Sequence, residues 1–187
     1  MFLVRSVQIL LTPLDPMYRA VTGFILAKPA LDLYNIPEFL RLLHSREVNS
    51  ETEQRWVLEL VKDGLRDNMD YSIAVKSYVF KLLLSQWNCC LLRSSDNQLL
   101  LLDIVLAAVR LARPCVDLVK SHGLLGWLMA VVTGDPVEKG VVKRLAGIVE
   151  VVGKTVEEAE QQLGGTVVAD LTVVRRRLAL LTANEVE

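Results

Sequence analysis

Two histidines and three cysteines are all that this 187-residue chain holds of the side chains that most often bind metals or act as nucleophiles. His44 and His122 stand in no cluster of His, Cys, Asp and Glu at metal-ligand spacing. Cys89 and Cys90 are adjacent and Cys115 is alone. That makes neither a disulfide framework nor a zinc motif, and it suits a reducing compartment. Nothing in the sequence pairs a cysteine with a base that would lower its pKa, so all three read as small core residues or quiet thiols.

Phosphate loops are missing as well. Gly123-Leu124-Leu125-Gly126 has neither a third glycine at the required spacing nor a preceding strand, and Gly134-Asp135-Pro136 reads as a turn. Gly164-Gly165 is not followed by Lys-Ser or Lys-Thr. The acids Glu157 and Glu158 are adjacent and so point to different sides of a helix, which is unsuited to paired-carboxylate chemistry. These absences argue for a protein that is not an enzyme and has no cofactor, metal or small-molecule substrate.

Charge of one sign is also lacking. Lys and Arg number 21 against 22 Asp and Glu, a formal charge of −1, so nothing global favours nucleic acid. No apolar run reaches the roughly 18 residues of a membrane span, because Asp103 and Arg110 interrupt the longest candidate. The opening MFLVRSVQILL has one basic residue, Arg5, placed after Phe2-Leu3-Val4 and not behind a basic leader, and it reads as a helix of the domain.

What the sequence has is apolar content and helical periodicity. Hydrophobic residues make up 52% of the chain and charged ones 23%, with a mean hydropathy of +0.35, enough to offset the entropy of ordering it. Ser50-Glu51-Thr52-Glu53 reads as a helix start with acids where the dipole favours them. Trp56, Val57, Leu60, Val61 and Leu65 then form an apolar stripe, with Glu59, Lys62 and Asp63 facing water. A further helix begins near Asp70 and breaks at Ser77-Tyr78, and another spans Val79 to Trp87. Ser94-Ser95-Asp96 caps a long apolar helix from Gln98 to Arg110. Pro114 suits the first turn of the next helix, as Pro37 suits an earlier one. Leu124 to Val131 forms a buried helix despite Gly126. Pro136 to Val152 and Thr166 to Leu181 read as two more helices, separated by a linker or cap at Gln161-Gln162-Leu163-Gly164-Gly165.

Part of this pattern repeats. A shift of 44 residues lays Val57-Leu58-Glu59-Leu60-Val61 on Leu101-Leu102-Asp103-Ile104-Val105, Leu65-Arg66 on Val109-Arg110, Val75-Lys76-Ser77 on Val119-Lys120-Ser121 and Phe80 on Leu124. Stacked helical repeats have periods of about 40–47 residues, each unit covering the apolar face of its neighbour. The expected fold is therefore all-α: stacked antiparallel helices in a HEAT- or armadillo-like solenoid, with residues 1–187 a single helical-repeat domain. His122 reads as a turn residue at the repeat junction. Trp56, Leu60, Gly64, Phe80, Ile104, Val105 and Trp127 are the expected architectural residues.

Arg175-Arg176-Arg177 is the densest basic feature. It serves helix solubility and the C-terminal end of the helix dipole, or else it is a contact for RNA phosphate or an acidic partner. No aromatic platform accompanies it in the sequence.

The segment KPALDLYNIPEFLRLLHS, followed by ETEQRWVLELVKDGLRDNMDY and VFKLLLSQW, resembles the C-terminal domain of the nucleolar pre-ribosomal-associated protein 1 family. Lys28, Pro29, Leu31, Asp32, Ile36, Pro37 and Phe39 carry the resemblance, followed by Glu53, Arg55, Trp56, Leu58, Leu60, Asp63, Gly64, Arg66, Asp70 and Tyr71. It covers residues 24–132; residues 134–187 depart from the pattern and read as divergent C-terminal helices or a cap. The resemblance implies a segment of a very large nucleolar scaffold that acts in early assembly of the large ribosomal subunit. Its implied partners are pre-ribosomal assembly proteins, with pre-rRNA a candidate as well, and not a membrane or a small molecule. The resemblance carries over no catalytic residue; Trp56, Gly64 and Arg66 are matching positions for architecture or partner contact. The alternative is a general protein–protein adaptor, or a purely structural solenoid segment without RNA contact.

Overall fold

Apolar residues at three- and four-residue spacing give a succession of helices with no strand among the described residues. The computed structural model describes residues 8–26, 36–44, 50–88, 92, 94–134, 138–159 and 165–183. Outside that set lie the first seven residues of the opening segment, Lys28, Pro29, Leu31 and Asp32 of the family-like stretch, Cys89, Cys90, Pro136 and linker residues 161–164. The helices are α1 (Tyr18–Leu26), α2 (Ile36–Phe39, continuing as a 3-10 turn over Leu40–His44), α3 (Ser50–Gly64), α4 (Asn68–Lys76), α5 (Val79–Asn88), α6 (Ser95–Val109), α7 (Ala112–Ser121), α8 (Leu124–Thr133), α9 (Lys139–Glu158) and α10 (Gly165–Ala183).

Local chemistry sets several of the boundaries. Asp67 accepts from the amides of Met69 at 2.7 Å and Asp70 at 2.9 Å, so α4 starts before the expected Asp70. Such a cap contributes about 1 kcal/mol. Helix α6 begins at Ser95, three residues before the expected Gln98; Ser94 precedes it in extended conformation without making the side-chain capping bond expected of it. Pro114 falls in the first turn of α7, where a missing amide costs nothing.

Helices α3–α4–α5 and α6–α7–α8 form two successive units, each one long helix followed by two short ones. The long helices stack side by side as α3, α6 and α9. The third helices form a second row, in which the 3-10 turn packs on α5, α5 on α8 and α8 on α10; α4 packs on α7 between the rows. Buried side chains repeat at the expected 44-residue spacing: Val57 and Leu101, Leu58 and Leu102, Val61 and Val105, Leu65 and Val109. The spacing continues into α9, where Leu145, Ile148, Val149 and Val152 occupy the places of Leu101, Ile104, Val105 and Ala108. Helix α9 is thus the long helix of a third unit that the sequence pattern had not revealed. It runs on to Glu158, beyond the expected Val152, through the region where the other two units break for a second helix.

One pairing expected from the sequence is corrected by the backbone. Tyr78 and Gly123 are the two described residues in the left-handed region, with φ of 59° and 65°. Their carbonyls accept the first four-residue hydrogen bond of the following helix in the same way, from the amides of Leu82 at 3.1 Å and Trp127 at 3.0 Å. Tyr78 therefore corresponds to Gly123, and Phe80 to Leu125 instead of Leu124. The second unit carries one extra turn residue, His122, so the register slips from 44 to 45 at the junction without disturbing the apolar pattern on either side.

Polar and aromatic side chains lock adjacent units together. The Gln54 amide donates to the Leu43 carbonyl at 3.1 Å, and the Asn97 amide to the Glu51 carbonyl at 3.1 Å. Trp56 meets Phe39 edge-on at 4.9 Å, and Trp127 meets Trp87 edge-on at 5.8 Å. Both Gln54 and Asn97 are buried, and a buried amide left unpaired would cost about 1–3 kcal/mol, so these contacts select one packing of unit on unit.

Candidate interaction surfaces

The charges that alternate with apolar residues on the long helices are largely used between units. Arg55 reaches Asp96 at 3.5 Å and Lys62 reaches Asp103 at 3.3 Å. Asp103 also takes the Arg144 guanidinium from the other side. Asp103 is thus the central rung of a ladder running across α3, α6 and α9. Glu59, expected to face water, is half-buried and pairs with Arg55.

Within the basic triplet on α10, Arg175 differs from its two neighbours in its partner. Arg175 lies against Gly153 of α9, where only the absence of a β-carbon leaves room for its guanidinium. Both terminal nitrogens donate to Glu157 Oε1 at 3.2 Å. Arg176 and Arg177 are exposed. Successive helical residues are turned about 100° from one another, so the three cations fan out. The contact of Arg175 with α9 had no signal in the sequence, because it depends on a glycine 22 residues away on another helix.

Between the short helices, Tyr71 of α4 donates its hydroxyl to Asp117 of α7 at 2.8 Å, and His122 Nε2 stands 3.6 Å from the same carboxylate. Burial pushes the Tyr71 hydroxyl well above its usual pKa, and the hydrogen bond and charge of Asp117 push the same way. Burial opposes ionisation of Asp117, yet the hydrogen bonds from Tyr71 and Ser121 and the nearby His122 and Arg113 together hold its carboxyl below the usual range. Cys115, fully buried beside this network, has its thiol pushed up by burial, against a smaller opposing effect from Thr155. That is the environment of a protonated structural thiol and not of a nucleophile. His122 closes α7, the turn position expected of it.

A groove of about 440 Å³ runs between α7 and the last turn of α9, with Ala112, Val116 and Ala159 in its lining and Arg113, Lys120, Asp117 and Glu158 around them. Among the described residues no group of three His, Cys, Asp or Glu could hold a metal, and no single helix is long and apolar enough to cross a membrane. Of the residues singled out as architectural, Trp56, Phe80, Ile104, Val105 and Trp127 are buried in the core. Gly64 is buried at the end of α3, and Leu60 packs half-buried against the same core. Asp103, Arg144, Tyr71 and Asp117 had not been singled out as a network. At the 44-residue shift only Asp103 among them falls on another charged residue, Glu59.

The sequence profile of a family described as nucleolar pre-ribosomal-associated protein 1 matches residues 1–127, from the first residue into α8. The chain belongs to this family. The human nucleolar pre-ribosomal-associated protein 1 is 24% identical over 148 residues, and the mouse protein of the same name is 25% identical over the same length. Each alignment takes in 79% of this chain and 6% of the relative, so the chain spans a small fraction of the curated proteins it matches. No solved structure matches it. The family match covers the first unit and the second as far as the start of α8, and it stops before α9, the helix whose extension sets the third unit apart.

Proposed function

We propose that this chain is a non-catalytic scaffold segment that works in the nucleolus in assembling precursors of the large ribosomal subunit. It would hold assembly proteins along its stacked helices and touch pre-rRNA through backbone contacts. The observation that carries this reading is the three-unit stack, with its shared core register and the Asp103 ladder joining α3, α6 and α9, in a member of a family named for pre-ribosomal association. Such a stack presents a long, stiff surface without needing a reaction cleft. The test is sedimentation: the tagged protein in nuclear extract should travel with large-subunit precursors, and a protein found only in light fractions would overturn the reading.

A second reading, an adaptor that binds proteins and not RNA, draws support from Arg175. Its pairing with Glu157 gives one of the three cations on α10 an acidic partner within the chain, which competes with phosphate for it. In-cell crosslinking separates the two readings. Peptide–RNA adducts favour the first, and protein partners that survive RNase without any RNA adduct favour the second.

A further inference from the structure

We infer that the edge carrying Tyr78 is a single-stranded nucleic-acid contact, with a base stacking on the Tyr78 ring and phosphates meeting Lys76, Lys81 and Lys120. The starting point is a backbone that demands a left-handed residue at the junction of second and third helices. The second unit meets the demand with Gly123, for which that conformation is free; the first meets it with Tyr78, for which it is strained. The tyrosine gains little inside this chain, since it is 63% exposed. A bulky residue held in a strained conformation with its ring in solvent gains more from an outside contact than from the fold.

The surroundings name the chemistry. The Lys81 ammonium sits over the Tyr78 ring, 5.6 Å from its centroid. Lys76 ends α4 two residues before the tyrosine, and Lys120 occupies the equivalent place in α7, the helix packed against α4. All three lysines are exposed and none forms an ion pair among the described residues. The nearby Asp117 is engaged by Tyr71 and His122, and Glu158 lines the groove that Lys120 borders without pairing with it. An acidic peptide would need only the lysines. Exposed aromatic area beside unpaired cations is the arrangement that binds stacked bases and their phosphates together.

This site deepens the RNA half of the function proposed above and rests on a different surface from Arg176 and Arg177. The experiment is fluorescence anisotropy with a labelled oligouridylate of about a dozen nucleotides, a length within known single-strand site sizes, and the whole 187-residue chain. Wild type should bind. Tyr78→Gly should weaken binding by roughly tenfold, the order expected for losing one stacked base. The same variant should melt no lower than wild type, because strain relief offsets the greater unfolded freedom of glycine. Tyr78→Phe should keep its affinity. Lys76→Gln with Lys120→Gln should reduce the salt slope by about 0.7 for each phosphate that no longer meets a cation. Unchanged affinity in Tyr78→Gly would overturn the inference, as would polyglutamate displacing the oligonucleotide as readily as RNA does. If Tyr78→Gly binds normally while Arg176→Gln with Arg177→Gln does not, this site fails and the RNA reading survives; if wild type binds no RNA, both fail.

Discussion

The guanidinium of Arg175 occupies the space that a β-carbon on Gly153 would fill, and from there it pairs with Glu157 one helical turn further along α9. The contact ties α10 to α9 and sets what Gly153 is for. Gly153→Ala should displace the flexible end of Arg175 and break the pair, a loss of about 0.2–1 kcal/mol for an exposed bridge. Alanine in a helix interior returns about 1 kcal/mol. The variant should therefore be as stable as wild type within about 1 kcal/mol by urea unfolding, and a loss of several kcal/mol would show that the arginine contact holds the helices together.

Asp103 serves two cations, Lys62 and Arg144, on opposite neighbours. Asp103→Asn should cost about 1 kcal/mol at low salt, with the difference from wild type shrinking as salt rises, since both partners are partly exposed. Denaturation at two ionic strengths checks this. A loss that does not depend on salt would point to packing and not to charge.

Tyr71 and Asp117 make opposite pH limbs. The folded pKa of Asp117 is depressed, so its contribution is complete above the unfolded value near 3.9 and fades as pH falls below it. The folded pKa of Tyr71 is raised, so its contribution is complete below the unfolded value near 10 and is lost as pH rises past it. Stability measured across pH should fall at both ends. Asp117→Asn should flatten part of the acid limb, and Tyr71→Phe should flatten the alkaline one.

Two glycines three residues apart should respond in opposite directions to alanine. Gly123 has φ of 65°, and a methyl there meets no atom within 4 Å, so Gly123→Ala should destabilise by about 1 kcal/mol through backbone strain alone. Gly126 lies inside α8 with the same open space and an ordinary backbone, so Gly126→Ala should stabilise by about 0.5–1 kcal/mol. Thermal unfolding of both variants tests the signs.

The residue order by itself determined the helices and most of their stacking. Apolar side chains such as Val57, Leu58, Leu101 and Leu102 must be hidden from water, and their spacing already states which face of each helix is hidden and at what interval the face recurs. The break after Lys76 was legible for the same reason. Tertiary structure alone decided the rest. Leu124 and Leu125 are adjacent and both apolar, so either fits opposite Phe80, and the slip from 44 to 45 shows only when Tyr78 and Gly123 are seen in the same backbone conformation. The third unit was hidden because α9 keeps the core spacing but not the helix breaks that marked the first two. Which cations are free was equally hidden, because Arg175 and Arg144 are held by Glu157 and Asp103 on other helices, and such partnerships depend on distances in space that no local pattern of residues specifies.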